Sequence, residues 1–157
     1  PNMLMCHCIG KAASSIEEFY MLPQKDKLVK YESLAINVIV PNKRGGINSC
    51  DIHFIDDLQQ FNSDYLALTK AAAEKCESSF LENDMVIGTS ALVETEIDTI
   101  VNQYTELFCN PMVMWGKYRK RFLKVELPVS FQFHHVQMDG QQAAAFLNKL
   151  QTVIESL

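Results

Sequence analysis

The chain has 157 residues, of which 48% are hydrophobic and 10% aromatic, and this predicts one soluble globular domain, residues 1–157, with its own core. Its formal net charge is −5 and its basic residues form no long run, which argues against a nucleic-acid partner. No apolar stretch is long enough to span a membrane, and the first residues lack the features of a secretory signal, so the sequence predicts a cytoplasmic protein. The five cysteines are odd in number and scattered, which favours reduced thiols over a disulfide framework.

The first predicted element is a helix over residues 3–14, a segment that is apolar on nearly all sides. That pattern is typical of a helix buried on most of its faces. Cys6, His7 and Cys8 lie in this segment, but side chains two positions apart on a helix point to different faces. The sequence has no second pair of ligands at zinc spacing, so no metal site is predicted.

A hairpin and two strands are predicted next. Residues 19–22 and 28–31 are short apolar runs on either side of a polar turn, which is the pattern of a β-hairpin. Residues 35–40 and 50–55 predict two further strands, separated by a polar loop that contains two glycines. This loop does not match a phosphate-binding loop, since the sequence has no Gly-x-x-x-x-Gly-Lys-Ser/Thr motif.

A long amphipathic helix is predicted over residues 58–78. Asp56, followed three residues later by Gln59, is typical of a capping box at a helix start. The stripe expected to face the core comprises Leu58, Phe61, Tyr65, Leu68, Ala72 and Cys76. Residues 85–90 predict the next strand, which ends in two hydroxyl side chains.

The stretch most informative about function follows a predicted strand at residues 123–133. Its odd positions are all apolar and its even positions mostly polar, which predicts a strand with one buried face. His135 continues the odd series and is expected on the apolar side, where desolvation disfavours the charged imidazole and keeps it a neutral base. His134 is expected on the polar side. A sharp turn at 139–140 precedes apolar residues at helical spacing, which predict a final helix.

A lone histidine at the end of a strand is more often a structural residue than a catalytic one. The whole string His134-His135-x-x-x-Asp139-Gly140, between an alternating strand and an amphipathic helix, nevertheless resembles the active-site motif of chloramphenicol acetyltransferases. Dihydrolipoyl acyltransferases and the condensation domains of peptide synthetases share that motif more distantly. With this context the catalytic interpretation of His135 is favoured.

Two further matches to the same family are independent of the histidines. Ser90-Ala91 follows a strand, as does the family's serine whose hydroxyl faces the tetrahedral intermediate. A strand that runs through a proline to Gly116-Lys117-Tyr118 matches another family segment. The resemblance implies that Ser90 stabilises the oxyanion and that Lys117 and Tyr118 contact the cofactor.

The resemblance also implies a fold and an assembly. The expected fold class is α+β, a two-layer α/β sandwich with a large, mostly antiparallel sheet flanked by helices. The expected assembly is a homotrimer with active sites at subunit interfaces, where acetyl-coenzyme A enters from one side and the antibiotic from the other. In this family the second histidine, here His135, is the base, and Asp139 has an orienting role. No metal is implied.

Three departures from the family pattern bear on the substrate. The first quarter of the family's chain has no counterpart before Pro1; it supplies a strand, a helix, much of the acceptor pocket and the arginine that pairs with the motif aspartate. Met114 stands where the family usually has a threonine. The Pro-Trp that follows the family's Ser-Ala string is missing here. The identity of the acceptor therefore stays open.

The predicted function is O-acetyl transfer from acetyl-coenzyme A to a hydroxyl of chloramphenicol or a similar small molecule, with antibiotic resistance as its consequence. Direct transfer is expected, because no second base is marked to activate Ser90 or a cysteine as a nucleophile. One alternative is a dihydrolipoyl-type acyltransferase core. The other is a non-catalytic trimeric protein of the same fold that binds small molecules and would have lost the base or the oxyanion donor.

Overall fold

The structure is a computed structural model and describes residues 2–101 and 108–157. Its helices are α1 Asn2–Ala13, α2 Leu58–Lys75 and α3 Gly140–Glu155, together with a short 3₁₀ helix, Glu17–Tyr20. Its strands are β1 Met21–Gln24, β2 Lys27–Lys30, β3 Leu34–Pro41, β4 Ile47–His53, β5 Met85–Leu92, β6 Met112–Gly116, β7 Arg119–Arg121, β8 Lys124–Glu126 and β9 Val129–Gln132. None of the helices described is long and apolar enough to cross a membrane.

The main sheet has five strands in the order β4-β3-β5-β6-β9. β3 pairs with β4, and β6 with β9, in antiparallel fashion, whereas the two central pairings, β3 with β5 and β5 with β6, are parallel. β1 with β2 and β7 with β8 form separate antiparallel hairpins, so four of the six described pairings are antiparallel. Helix α2 packs on β3 and β4, and α1 packs on β3, α2 and α3. The expected α+β class, with helices against a sheet, is confirmed.

Three aromatic rings join the elements that surround the histidine motif. Phe19 of the 3₁₀ helix, Phe131 of β9 and Phe146 of α3 lie with ring centroids 4.7 to 5.9 Å apart. Phe19 and Phe146 are completely buried. Aromatic contacts of this kind add to the burial of apolar area, so the end of β9 is held firmly between the 3₁₀ helix and α3.

The predicted strand over residues 123–133 was wrong, because the structure divides this run into β8 and β9. β8 belongs to an exposed hairpin with β7, and β9 belongs to the main sheet. Pro128 lies between them and has no N–H to donate to a ladder. Leu123 and Val125 are 86% and 67% exposed. The alternation continues across the break, so the sequence pattern does not reveal it.

The start of α2 at Leu58 is as predicted, but its N-cap was predicted one residue too early. Asp57, not Asp56, is the N-cap, and its Oδ1 accepts from the backbone N–H of Gln60 at 2.7 Å. Both aspartates are followed three residues later by a glutamine, so the sequence fits either register. Asp56 instead forms an ion pair with Lys11 at 2.9 Å. Of the predicted core stripe, Phe61 and Ala72 are buried, while the others are partly or largely exposed.

Candidate active site

The two histidines lie in a turn just beyond β9, which ends at Gln132. The carbonyl oxygen of His134 accepts from the backbone N–H of Gln137 at 2.9 Å and from that of Met138 at 3.3 Å, which closes the turn. His134 is partly buried, and His135 is exposed in the chain taken alone. The expectation that His135 is buried on an apolar strand face was therefore wrong, because the period-two pattern ends with the strand.

The turn gives the two neighbouring imidazoles opposite hydrogen-bonding roles. Nδ1 of His135 lies 3.2 Å from the carbonyl oxygen of Met138. A carbonyl oxygen only accepts, so Nδ1 carries the hydrogen and, in the neutral ring, Nε2 keeps its lone pair. Nδ1 of His134 accepts from the backbone N–H of Val136 at 3.1 Å, which assigns the hydrogen of that neutral ring to Nε2. Only His135 thus presents Nε2 as a base.

Asp139 caps the helix that follows the turn. Its carboxylate accepts from the backbone N–H of Gln141 at 2.7 Å, and its own N–H donates to the side chain of Gln142 at 3.2 Å. This capping box starts α3 directly after Met138, whose carbonyl receives the His135 hydrogen. In the part of the chain that the structure describes, no Lys or Arg forms an ion pair with Asp139.

Ser90 lies near the end of β5, in the middle of the main sheet. It is paired with Met114 of β6, which is in turn paired with Ser130 of β9, so the three side chains share one face of the sheet. Met114 is buried. Ser90 also lines a cavity of about 280 Å³ together with Cys6 and Trp115.

Cys6 is the thiol in this cavity. Burial is the main reason that the pKa of its thiol is raised to about 12. The thiol therefore stays protonated at neutral pH, where only the thiolate is a good nucleophile. Nucleophilic catalysis by Cys6 beside Ser90 is not supported by this environment.

Lys117 and Tyr118 follow β6 directly and are exposed. They line a second cavity of about 520 Å³, whose other walls are mostly apolar and comprise Asn2, Met3, Met5, Tyr65, Leu66, Val93, Trp115, Gly116 and Leu127. Asn2, Tyr65 and Trp115 also line the cavity of Ser90, so the two cavities adjoin. The structure thus brings Ser90, Lys117 and Tyr118 into one region.

The histidine turn faces a different cleft. His134 and Val136 line a space of about 1070 Å³ whose opposite wall is formed by residues 22–28 of the β1–β2 hairpin. Gln132, the last residue of β9, lies two strands across the sheet from Ser90 and two residues further along its strand, which is a distance of roughly 12 Å. The histidine turn begins only after Gln132. Within one chain the structure does not bring His135 and Ser90 to a common cavity.

The family model described as chloramphenicol acetyltransferase matches residues 2–151. The chain belongs to the chloramphenicol acetyltransferase family. Chloramphenicol acetyltransferase 3 of Escherichia coli is 24% identical over 98% of this chain and 74% of its own length.

Solved structures share the fold of this family member. A chloramphenicol acetyltransferase superposes with a TM-score of 0.81 at 18% identity, covering 97% of this chain and 76% of that one. The dihydrolipoamide acetyltransferase of Azotobacter vinelandii superposes with a TM-score of 0.72 at 17% identity, covering 94% and 64%. These identities are low, so the likeness speaks for the fold alone.

Two features of the site could not be recognised from the sequence. The acceptor for His135 is the backbone carbonyl of Met138, and a backbone atom has no residue type that could reveal it. Trp115, which lines both cavities near Ser90, is one apolar residue in an apolar strand. Within residues 2–101 and 108–157, no group of three His, Cys, Asp or Glu side chains is placed to hold a metal ion.

Proposed function

We propose that this protein is an O-acetyltransferase that moves the acetyl group of acetyl-coenzyme A to a hydroxyl of chloramphenicol or of a similar small molecule. The observation that carries the proposal is the hydrogen bond from His135 Nδ1 to the carbonyl of Met138. It supports Nε2 as a base in a chain of the chloramphenicol acetyltransferase family. Detoxification of the antibiotic in the cytoplasm would follow from such an activity.

The proposed chemistry is a direct transfer. Nε2 of His135 accepts the proton of the acceptor hydroxyl as the hydroxyl oxygen forms a bond to the thioester carbonyl carbon. The carbon–sulfur bond then breaks, and His135 returns the proton to the departing sulfur, so that an ester and a free thiol result. General base catalysis of this kind contributes about 10²–10⁴-fold to the rate. The Met138 carbonyl keeps Nε2, rather than Nδ1, as the proton acceptor throughout.

Ser90 is proposed to donate a hydrogen bond to the carbonyl oxygen as negative charge develops there. A donor aimed at that oxygen stabilises the transition state more than the ground state. Because Ser90 and His135 are too far apart in one chain, we infer that each site is formed by His135 of one copy and Ser90 of another. A cyclic homotrimer provides three such sites through one repeated contact.

The cavity beside Lys117 and Tyr118 is proposed to hold acetyl-coenzyme A. Its mostly apolar walls suit a narrow alkyl-amide arm, and the exposed Lys117 ammonium suits a phosphate group at the mouth. Tyr118 is 56% exposed there and offers an aromatic face for a purine ring. This placement leaves the thioester end beside Trp115, which the cavity shares with that of Ser90.

Release of free thiol from acetyl-coenzyme A tests the proposal. The protein is incubated with acetyl-coenzyme A and either chloramphenicol or dihydrolipoamide, and the product is identified by mass spectrometry. Acetyl-chloramphenicol formed with thiol release supports the proposal. Acetylation of dihydrolipoamide alone would support the alternative suggested by the fold of the Azotobacter vinelandii enzyme. Binding of chloramphenicol without any transfer would mark a non-catalytic binding protein.

A further inference from the structure

The turn that carries both histidines contains one buried polar side chain, Gln137. His135 and Val136 beside it are exposed, whereas Gln137 is 3% exposed. Its side-chain Nε2 donates to the carbonyl oxygen of Met21 at 2.6 Å and to that of Glu18 at 3.3 Å. These carbonyls belong to β1 and to the 3₁₀ helix, so the amide joins the turn to a distant part of the chain.

Gln137 is followed in the chain by Met138, whose carbonyl oxygen sets the tautomer of His135. The N–H of Gln137 donates to the carbonyl of His134 at 2.9 Å, and the next carbonyl along the chain, that of Met138, accepts from His135 Nδ1. The Met138 side chain is buried in the core. The turn is therefore fixed by an apolar anchor at Met138 and a hydrogen-bonded anchor at Gln137.

A glutamine is a poor choice at this position for packing alone. Its Oε1 is buried and has no hydrogen-bond partner among the residues that the structure describes. A buried polar atom without a partner lowers stability, so an apolar side chain of similar size would fill the space at less cost. What the glutamine adds is its pair of N–H bonds to Glu18 and Met21.

The hydrogen bonds of the Gln137 amide also connect the two walls of the cleft that His134 and Val136 line. His134 and Val136 lie on one wall, and residues 22–28 of the β1–β2 hairpin form the other. Met21, which accepts from the glutamine, is the first residue of that hairpin. Gln137 thus sets the turn and the facing hairpin at a fixed separation.

We propose that Gln137 is a positioning residue for His135: its amide fixes the turn so that the Met138 carbonyl holds the imidazole as the Nδ1–H tautomer, which leaves Nε2 as the proton acceptor. The inference rests on the proposed acetyl transfer for its catalytic consequence. Its structural consequence, the tautomer of His135, is measurable whether or not the protein is active.

The test variant is Gln137→Leu, which keeps the side-chain volume and removes both donors. Its kcat for acetyl transfer should fall about 10- to 100-fold because the base is misplaced. Its KM for acetyl-coenzyme A should stay within about two-fold, because the proposed donor cavity lies elsewhere. The ¹⁵N shifts of His135 should change from one tautomer, with hydrogen on Nδ1, to a mixture.

Two controls separate positioning from stability. Gln151→Leu makes the same substitution at an exposed position of α3, where the amide donates to the carboxylate of Glu155. Val153→Ala removes buried volume from α3 and lowers stability without touching the turn. Both should retain the kcat and the His135 tautomer of the natural sequence.

A third variant, Gln137→Glu, adds a pH signature. A protonated carboxyl can donate to the Met21 carbonyl, but an ionised one only accepts and would repel it. The ratio of its kcat to that of the natural protein should therefore fall as pH rises and the introduced carboxyl ionises. A side chain that only fills space gives no such dependence.

The proposal is overturned if Gln137→Leu keeps kcat within about two-fold, or if Val153→Ala reproduces its loss of kcat and its change of tautomer. If the natural protein transfers no acetyl group, the proposed function fails, and the ¹⁵N spectra then decide the positioning role alone. A His135 tautomer that is the same in Gln137→Leu and in the natural protein would refute it, and a mixture would support it.

Discussion

The separation of Ser90 from His135 leads to a prediction about mixed oligomers. Ser90 is paired with Met114 and Met114 with Ser130, which places Ser90 roughly 12 Å from Gln132 at the end of β9. The perturbation is to inactivate the two groups in different chains, with His135→Ala in one and Ser90→Ala in the other. If each site draws one group from each of two copies, mixing should restore complete sites.

The size of the recovery follows from the symmetry. In a cyclic trimer each site takes its histidine from one copy and its serine from the next. In a trimer that contains both variants, whichever of them is present twice, one of the three sites receives both intact groups. Mixed oligomers should therefore show about one third of the activity of the natural protein, whereas each variant alone should show about 1% or less.

The assay uses the two variants with different affinity tags, unfolded together and refolded, with sequential purification on both tags. Sedimentation equilibrium checks that the product is an oligomer, and the variants refolded separately and then mixed serve as the control. Thiol release from acetyl-coenzyme A with chloramphenicol measures the recovered sites. Activity of the mixed oligomers no greater than that of the separate variants would refute the shared site, as would a monomeric natural protein that is fully active.

Two further predictions concern single residues of the Ser90 cavity. Ser90→Ala should lower kcat by about 10²–10³-fold with little change in the KM of either substrate, because the hydrogen bond strengthens only in the transition state. Steady-state kinetics measure both constants, and a change in KM alone would assign Ser90 to substrate binding. Burial raises the pKa of the Cys6 thiol from 9.0 to about 12. Between these pH values the folded state keeps a proton that the unfolded chain loses. The resulting stabilisation is fully present below pH 9.0 and is lost as the pH rises towards about 12. Thermal unfolding should show Tm falling over that range less steeply in Cys6→Ala, and equal slopes would contradict the assignment.

The regular elements of the fold could be predicted because each has a local pattern. The all-round apolar character of α1, the β1–β2 hairpin, β3, β5 and the amphipathic α3 are all confirmed to within a few residues. Where one pattern fits two structures, the prediction failed. The alternation that spans β8 and β9 is unbroken in sequence although the strands lie in different sheets, and Asp56 and Asp57 fit a capping box equally well.

The site was predictable in its residue types but not in its geometry. The histidine string and Ser90 were found from their spacing and their resemblance to the family, and family membership is confirmed. Their catalytic roles, with those of Asp139, Lys117 and Tyr118, stay predictions. The carbonyl that receives the His135 hydrogen and the long-range anchor of Gln137 depend on contacts between residues distant in sequence, which no local pattern encodes.

The central claim is that His135, and not its neighbour His134, is the base, because only in His135 is Nε2 the unprotonated nitrogen of the neutral ring. The most direct measurement is kcat for acetyl transfer to chloramphenicol by His135→Ala and by His134→Ala, each checked for an unchanged circular dichroism spectrum and oligomeric state. His135→Ala should lose about 10²–10⁴-fold, and His134→Ala far less. Equal losses in the two variants, or a larger loss in His134→Ala, would contradict the assignment of the base.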